Sequence, residues 1–337
     1  MQGQNGNGFG HTTGSGASER GEIAFRGHGG RRPRVLAYGG NSERHLIQDD
    51  RYLYWSDAED GTVTRLSKSG GVPVVLATGQ VYPGALTLAG GWLYWVTRRM
   101  DMGTVVRMPV GGGEIELIES GQNRPQSIAV FGTTVVWTNF GDGLATGTVM
   151  RKDLGGRLTT LASKQKQPGS IAVDAMQIYW TAFGVKRPSY FRDGAMMRIP
   201  RAGGPKRYVV AGEQSMARSV LLDEGWLYWT TADELEHDPR LGGIKRRRKE
   251  GGPIQNLVFW GHSTGAIALD RTHVYWLQQF GGALFRVRKE GGEPEQIMAG
   301  NGDRMLRVDD LVVDDRCVYW TARQSAQAGG AVFTMGK

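Results

Sequence analysis

The sequence predicts an all-β chain: a seven-bladed β-propeller of four-stranded antiparallel blades, closed by an N-terminal strand that completes the last blade. Three observations predict it. An aromatic–Trp or Val–Trp pair recurs seven times, at Trp55, Trp95, Trp137, Trp180, Trp229, Trp276 and Trp320, with 40 to 49 residues between successive tryptophans. Glycine makes up 52 of the 337 residues without a Gly-X-Y period, which points to many tight turns between short strands. The two chain ends carry complementary pieces of one repeat.

Each repeat leads into its tryptophan through a short apolar strand: LTLAGGWLYW, IAVFGTTVVW, IAVDAMQIYW, VLLDEGWLYW, IALDRTHVYW and LVVDDRCVYW. A Gly-led strand, a Gly-Gly turn and a fourth apolar segment follow; in the first repeat these read GTVTRL, SGG and VPVVLA. Four short strands with period-2 alternation are what one blade needs. The glycine pairs supply the positive φ of a tight hairpin loop. In YLYW, Tyr52 and Tyr54 share one face of the strand, and Leu53 and Trp55 the other. Both faces of a blade meet other blades, so the tryptophans are expected to be core between blades.

The last repeat has three strands, LVVD, CVYW and GAVFTM, and its fourth is expected from RPRVLAYGG (Arg32 to Gly40), which looks like VPVVLATG (Val72 to Gly79). GEIAFRGHGG (Gly21 to Gly30) also resembles a third strand. GAVFTM is preferred in that place, and whether residues 21–30 pair into the last blade stays open. Residues 1–20 read as a flexible Gly-rich tail and 21–337 as a single propeller.

The strand sequences YWSD (Tyr54 to Asp57), VYWTA, IYWTA and LYWTT, with GTVMR and its following glycines, resemble the YWTD-type repeats of low-density-lipoprotein-receptor propellers, and more closely bacterial repeat proteins of that kind. The resemblance covers the chain from about residue 32. It departs in two respects: the family aspartate is kept only at Asp57, and the receptor propellers have six blades where seven repeats stand here. The receptor ligand chemistry is therefore not carried over.

Composition narrows the function classes. One cysteine, Cys317, allows no intrachain disulfide and reads as a small packing residue. No run of 18 apolar residues occurs, and the first residues as written lack the pattern of a secretory signal, whereas the resemblance implies export; localisation stays open. The net charge of +8 calls for anionic partners to be considered. The basic run Lys245 to Lys249 falls on a third strand, where alternation spreads its charge over two faces, so nucleic acid is disfavoured.

Insertions concentrate between the second and third strands, as TNFGDGLATG, TAFGVKRPSYFRDG and TTADELEHDPRLGG. These loops share one face with the crossovers that enter each innermost strand. Just before those strands stand Arg44, Gly84, Gln126, Gly169, Arg218, Thr264 and Arg307. Three arginines around one channel mouth form a positive funnel that forks onto carboxylate or phosphate; the competing reading has them cap carbonyls or pair with Asp309 and Asp310. The candidate ligand-binding set is Arg44, His45, Gln126, Arg218, His262, Arg307, Asn139 and Asp57, with Arg124 and Lys166 nearby.

No HxH, HExxH, CxxC or Gly-x-Ser-x-Gly spacing occurs, so no catalytic or metal residue is named. His237 in ADELEHD reads as part of a solvated acidic loop. The expectation is a non-enzymatic binding or scaffold propeller, without a cofactor, that presents its loop-rich face to a protein, glycan or anionic ligand. The alternative is a propeller enzyme of lyase or lactonase type, with an axial divalent cation or an Arg/His site.

Overall fold

The computed structural model describes residues 25–27, 32–39, 44–143, 145–184, 193–204, 208–214, 216–232, 242–259, 264–300, 305–323 and 329–337. Among them the strands form seven antiparallel sheets, each running in order from axis to rim, with no helix. Blade 1 is β3–β6 (Arg44–Gln48, Tyr52–Asp57, Thr62–Ser67, Val74–Ala77) and blade 2 is β7–β10 (Pro83–Ala89, Trp92–Thr97, Gly103–Pro109, Glu116–Gln122). Blade 3 is β11–β14 (Pro125–Phe131, Thr134–Asn139, Gly147–Asp153, Leu158–Gln165) and blade 4 is β15–β18 (Pro168–Val173, Gln177–Ala182, Gly194–Pro200, Tyr208–Gln214). Blade 5 is β19–β22 (Val220–Leu222, Trp226–Thr231, Gly243–Arg248, Gln255–Phe259). Blade 6 is β23–β26 (Thr264–Leu269, His273–Gln278, Leu284–Arg288, Glu295–Ala299). Blade 7 takes β27–β29 (Arg307–Val313, Cys317–Arg323, Gly330–Gly336) from the end of the chain and β2 (Arg34–Tyr38) from its beginning.

The N-terminal strand closes the ring as expected: β2 pairs with β29, Arg34 opposite Thr334 and Tyr38 opposite Ala331. The open question over residues 21–30 resolves differently from either reading. Arg26–Gly27 (β1) adds a fifth, outermost strand to blade 6, opposite Ala299 and Met298. Phe25 then packs edge-on against Trp320 and Phe333, with ring centroids 5.6 and 5.0 Å away, tying blades 6 and 7 together. The Gly-rich residues 1–20 lie outside the described residues.

The tryptophans sit between blades. Six of the seven are 0% exposed and Trp55 is 6% exposed. Trp137, for example, shares its core cluster with Tyr94 and Val96 of blade 2. At the seams into blades 2 to 5 the indole N–H also donates to a glutamine at the rim of the preceding blade: Trp95 to Gln80 (3.1 Å), Trp137 to Gln122 (2.9 Å), Trp180 to Gln165 (3.1 Å) and Trp229 to Gln214 (3.3 Å). A buried indole left without an acceptor would carry the full desolvation cost of its N–H.

The glycine that opens the third strand has a reason in close approach. A Cβ on Gly147 would overlap the ring of Pro168 and lie 3.0 Å from the carbonyl oxygen of Asn139, because the crossover into the next blade passes directly against it. The same crowding by Pro125 and Gln122 falls on Gly103.

At the opposite ends of the strands a second device joins the blades. Asp223, in the turn between the first two strands of blade 5, accepts the backbone N–H of Gly225 and Trp226 and the hydroxyl of Tyr228, at 3.1, 2.8 and 2.9 Å. Lys289 of blade 6 reaches back to it at 3.0 Å. The clasp recurs as Lys249–Asp174, Lys337–Asp270 and Lys68–Asp314, the last of which spans blades 1 and 7. Burial opposes ionisation of Asp223, but Lys289, the turn N–H groups and Tyr228 outweigh it and hold its carboxyl below the usual carboxylate range. Asp174, Asp270 and Asp314 are lowered by the same balance. Tyr275, buried and bonded to Asp270, is pushed up to about 12.

Candidate functional site

The mouth where the inner strands begin is shaped by a repeated β-bulge. Pairing with the second strand slips by one residue between Pro83 and Leu86, Pro125 and Ser127, Pro168 and Ile171, Thr264 and Ile267, and Val308 and Asp310. A bulge re-aims the residue it inserts. Here it turns that residue toward the one three positions past the blade's tryptophan. A Cβ on Gly84 would lie 3.0 Å from Arg98 Cδ, and one on Gly169 3.0 Å from the Phe183 ring. In blade 7 the pair is polar: Arg323 Nε donates to Asp309 Oδ1 at 3.0 Å. In blade 5 the sizes are exchanged, with Arg218 at the inner position and Ala232 three past the tryptophan.

The preceding blade holds this point in place. Ser56 Oγ donates to the carbonyl of Gly84 (2.8 Å), Thr138 Oγ1 to that of Gly169 (2.7 Å) and Thr181 Oγ1 to that of Arg218 (2.7 Å). The residue two before the inner position adopts a left-handed backbone in four successive blades: Tyr82, Arg124, Gln167 and Met216, with φ of 49°, 54°, 53° and 37°. Non-glycine residues persist there only where their surroundings enforce it. The enforcing contacts are visible: the carbonyls of Tyr82, Arg124 and Gln167 accept the N–H of Arg98, Phe140 and Phe183, at 3.0, 2.9 and 3.1 Å.

Long side chains therefore stand at this end of blades 2 to 7. Arg98 comes from blade 2. Arg124 of blade 3 lies 5.1 Å from the ring centre of Phe140, which meets Phe183 of blade 4 at 5.9 Å. Arg218 Nη1 of blade 5 donates to Gln279 Oε1 of blade 6 at 3.4 Å. Arg307 lies 5.3 Å from the centre of Phe280, whose side chain is 42% exposed. Phe280 and Arg307 also form an isolated backbone bridge between blades 6 and 7.

Of the residues expected from sequence, Arg218 and Arg307 are brought to this mouth beside Gln279 and Phe280. Arg307 does not occupy the place equivalent to Arg218: it pairs with Arg323 two residues ahead of the bulge, and Asp309 takes the inner position. The expected pairing of an arginine with Asp309 is made by Arg323, while Asp310 accepts the N–H of Leu46 (3.0 Å) and Leu311 (2.8 Å). Gln126 is the bulged residue of blade 3. Arg44 starts the inner strand of blade 1 opposite Asp57.

His45, Asp57 and Asn139 stand apart. His45 Nδ1 lies 3.9 Å from Asp310 across the seam between blades 7 and 1. Asp57 is 2% exposed and its Oδ1 accepts the N–H of Asp60 at 3.1 Å. Asn139 Nδ2 donates to Gln122 (2.9 Å) and Thr148 (3.1 Å) at the seam between blades 2 and 3. His262, His237 and the centres of the two longest insertions lie outside the described residues. Among the described residues no group of three or more His, Cys, Asp or Glu is placed to hold a metal ion. Sequence reasoning missed Arg98, Phe140, Phe183, Gln279 and Arg323; their signal was the constant offset of three from Trp95, Trp137, Trp180, Trp276 and Trp320.

No family model matches this chain, and no curated protein matches it. Among solved structures, virginiamycin B lyase from Staphylococcus aureus aligns over 91% of this chain and 99% of its own, with a TM-score of 0.67 and 11% identity. The WD40 β-propeller domain of Doa1 covers 91% and 97%, with a TM-score of 0.63 and 14% identity. The computationally designed Ika8 protein covers 89% and 99%, with a TM-score of 0.60 and 16% identity. The chain is a seven-bladed β-propeller. At these identities the likeness extends to the propeller fold alone, and a lyase and a WD40 domain stand side by side among the neighbours.

Proposed function

We propose that this propeller is a non-enzymatic binding protein that takes an anionic ligand, a carboxylate- or phosphate-bearing segment of a protein or glycan, at the bulged mouth of its axis. One observation carries the reading: the inner position and the residue three past the tryptophan put Arg98, Arg218 and Arg323 at the same end of blades 2, 5 and 7, where Arg124 and Arg307 stand beside Phe140 and Phe280. Guanidinium groups fork onto carboxylate and phosphate oxygens, and Phe140, Phe183 and Phe280 give flat apolar faces beside them. The repeats themselves are YWTD-like in our reading, on the strength of YWSD, VYWTA, IYWTA and LYWTT, with the one retained aspartate, Asp57, serving as a buried turn acceptor.

The test is calorimetric titration with phosphate, sulfate and an acidic oligosaccharide, followed by Arg98→Ala and Arg218→Ala. Loss of a charge-assisted hydrogen bond predicts about tenfold weaker binding for each. Undiminished binding in both variants, or no saturable heat with any anion, would remove the proposal. Dependence of binding or turnover on a divalent cation would instead favour the enzyme reading.

A further inference from the structure

The basic run Lys245 to Lys249 follows the third strand of blade 5 and plays no part at the bulged mouth. One of its members, Arg247, stands where a cation is unusual. It pairs with Leu227, and at the same register the other blades carry Leu66, Met108, Lys152, Ile199, Val287 and Met335. All of these but Lys152 are buried and apolar. Lys152 shows what a charge at this position asks for: its Nζ donates to Ile118 O (2.7 Å) and to Glu119 Oε2 (3.0 Å) on the rim strand of blade 2. Arg247 makes the first kind of bond, to Val210 O on the rim strand of blade 4, and its Nε donates to Gly252 O at 2.8 Å. The residue after Val210 is Ala211, however, and among the described residues no carboxylate pairs with Arg247. A half-buried guanidinium without a counter-charge is costly.

A cavity of about 100 Å³ lies at this place, between the outer strands of blades 4 and 5. Arg198, Arg247, Arg248 and Lys249 line it, and no carboxylate does. Arg198 Nη1 is tied to Lys249 O at 2.8 Å and Lys249 Nζ to Asp174 at 3.1 Å, while Arg248 rests 4.7 Å from the ring centre of Trp226. A second feature is independent of these charges. Tyr179, buried and also lining the cavity, has four counterparts, Tyr54, Tyr228, Tyr275 and Tyr319, that donate their hydroxyls to the aspartate of their turn at 2.7 to 3.2 Å. Arg198 donates to the oxygen of Tyr179, but its proton goes to no described residue, although Asp174 stands in the matching turn. A buried hydroxyl proton calls for an acceptor.

We infer that this cavity binds a compact tetrahedral dianion, inorganic phosphate or the phosphoryl group of a phosphomonoester. Its oxygens take the part that Glu119 plays beside Lys152 and accept from Arg247, Arg248 and Tyr179. The volume is about a third of the smallest ordinary ligand pocket, which admits the phosphoryl group and leaves anything attached to it outside. The carboxylates nearest Tyr179 are Asp174 and Glu250. Asp174 is held by Lys249 and by the N–H groups of Met176 and Gln177, and Glu250 is exposed outside the lining, so four cations outweigh them.

The test is calorimetric titration of inorganic phosphate and of O-phosphoserine into the full-length protein carrying Arg98→Ala and Arg218→Ala, which takes the bulged mouth out of the measurement. One saturable site is expected. Tighter binding of phosphoserine assigns a phosphoryl group carried by a larger molecule, and tighter binding of phosphate assigns the free ion. Arg247→Met, apolar like five of its counterparts, is expected to weaken binding at least tenfold without lowering the urea midpoint. Tyr179→Phe is expected to weaken it about fivefold, again without loss of stability, because the lost proton had no acceptor. Ala211→Glu supplies the missing carboxylate while keeping the arginine, and is expected to abolish binding. No saturable heat with either ligand, or an affinity unmoved by Arg247→Met and Tyr179→Phe, would overturn the proposal.

Discussion

Replacing Asp223 by Asn should destabilise the ring by about 3 kcal/mol, and the reason can be separated into parts. The substitution keeps Oδ1 for the N–H groups of Gly225 and Trp226, at 3.1 and 2.8 Å, so the turn retains its acceptor. What is lost is the charge facing Lys289 Nζ at 3.0 Å, on a lysine whose side chain is only 11% exposed. The gross attraction at that separation is about 5 kcal/mol at an effective dielectric of 20. Desolvation of both partners cancels much of it, yet an amine left buried without its carboxylate costs about 3 kcal/mol or more. Asp49 supplies an internal control: it makes the same turn bonds to Arg51 and Tyr52 and the same bond to its tyrosine, Tyr54 at 2.7 Å, while blade 2 carries Val110 where a clasp lysine would stand. Asp49→Asn should therefore cost about 1 kcal/mol, one neutral-for-charged hydrogen-bond exchange. Urea unfolding followed by tryptophan fluorescence measures both, and a cycle with Lys289→Met isolates the pair. A coupling below about 0.5 kcal/mol, or equal losses for the two aspartates, would refute the clasp as a source of stability.

The four clasped aspartates, Asp174, Asp223, Asp270 and Asp314, make stability acid-sensitive. Their folded pKa values lie below the unfolded value of about 3.9, so their contribution is present above that pH and is lost as pH falls further; melts from pH 5 to 2 should show a steeper loss in wild type than in Asp223→Asn. Gln122→Ala strips the acceptor from Trp137 and Asn139, 0% and 6% exposed, and should cost about 2–3 kcal/mol in the same unfolding assay. Gly147→Ala forces the Pro168 crossover to move and should cost about 3 kcal/mol, whereas alanine at Gly155, where nothing lies within 4 Å, meets only the strain of φ 79°.

Much of the fold was legible because the repeat writes it out. The Trp spacing set the blade count, and the likeness of Arg32–Gly40 to Val72–Gly79 placed the closing strand before any pairing was seen. What stayed hidden depended on register. The place of Arg307 was misjudged because blade 7 carries two residues, Arg307 and Val308, between its crossover and the bulge, and a bulge is invisible in a hydrophobic pattern. The joining of Arg26–Gly27 to blade 6 was hidden too, since a two-residue pairing leaves no periodicity to read. For the candidate site, the crossovers were the right place to look, but counting back from the inner strand found only one partner of each pair; counting forward from the tryptophan finds the other.

Two seam devices divide the ring between them. The Trp–Gln bond crosses the seams from blade 1 to blade 5, and the Lys–Asp clasp those from blade 4 round to blade 1, overlapping at the seam of blades 4 and 5. Fifteen residues before the remaining tryptophans stand Gly40, Gly261 and Met305 in place of glutamine, and the clasp position of blades 2 to 4 holds Val110, Leu154 and Arg201 in place of lysine. Every seam thus keeps at least one polar tie in addition to its buried tryptophan. None of these ties uses the residues three past the tryptophan. Those positions carry neither tie, and they vary round the ring: Ala58, Arg98, Phe140, Phe183, Ala232, Gln279 and Arg323. A rotationally repetitive scaffold becomes directional only where its repeats stop repeating, and at the bulged mouth they diverge in both size and charge.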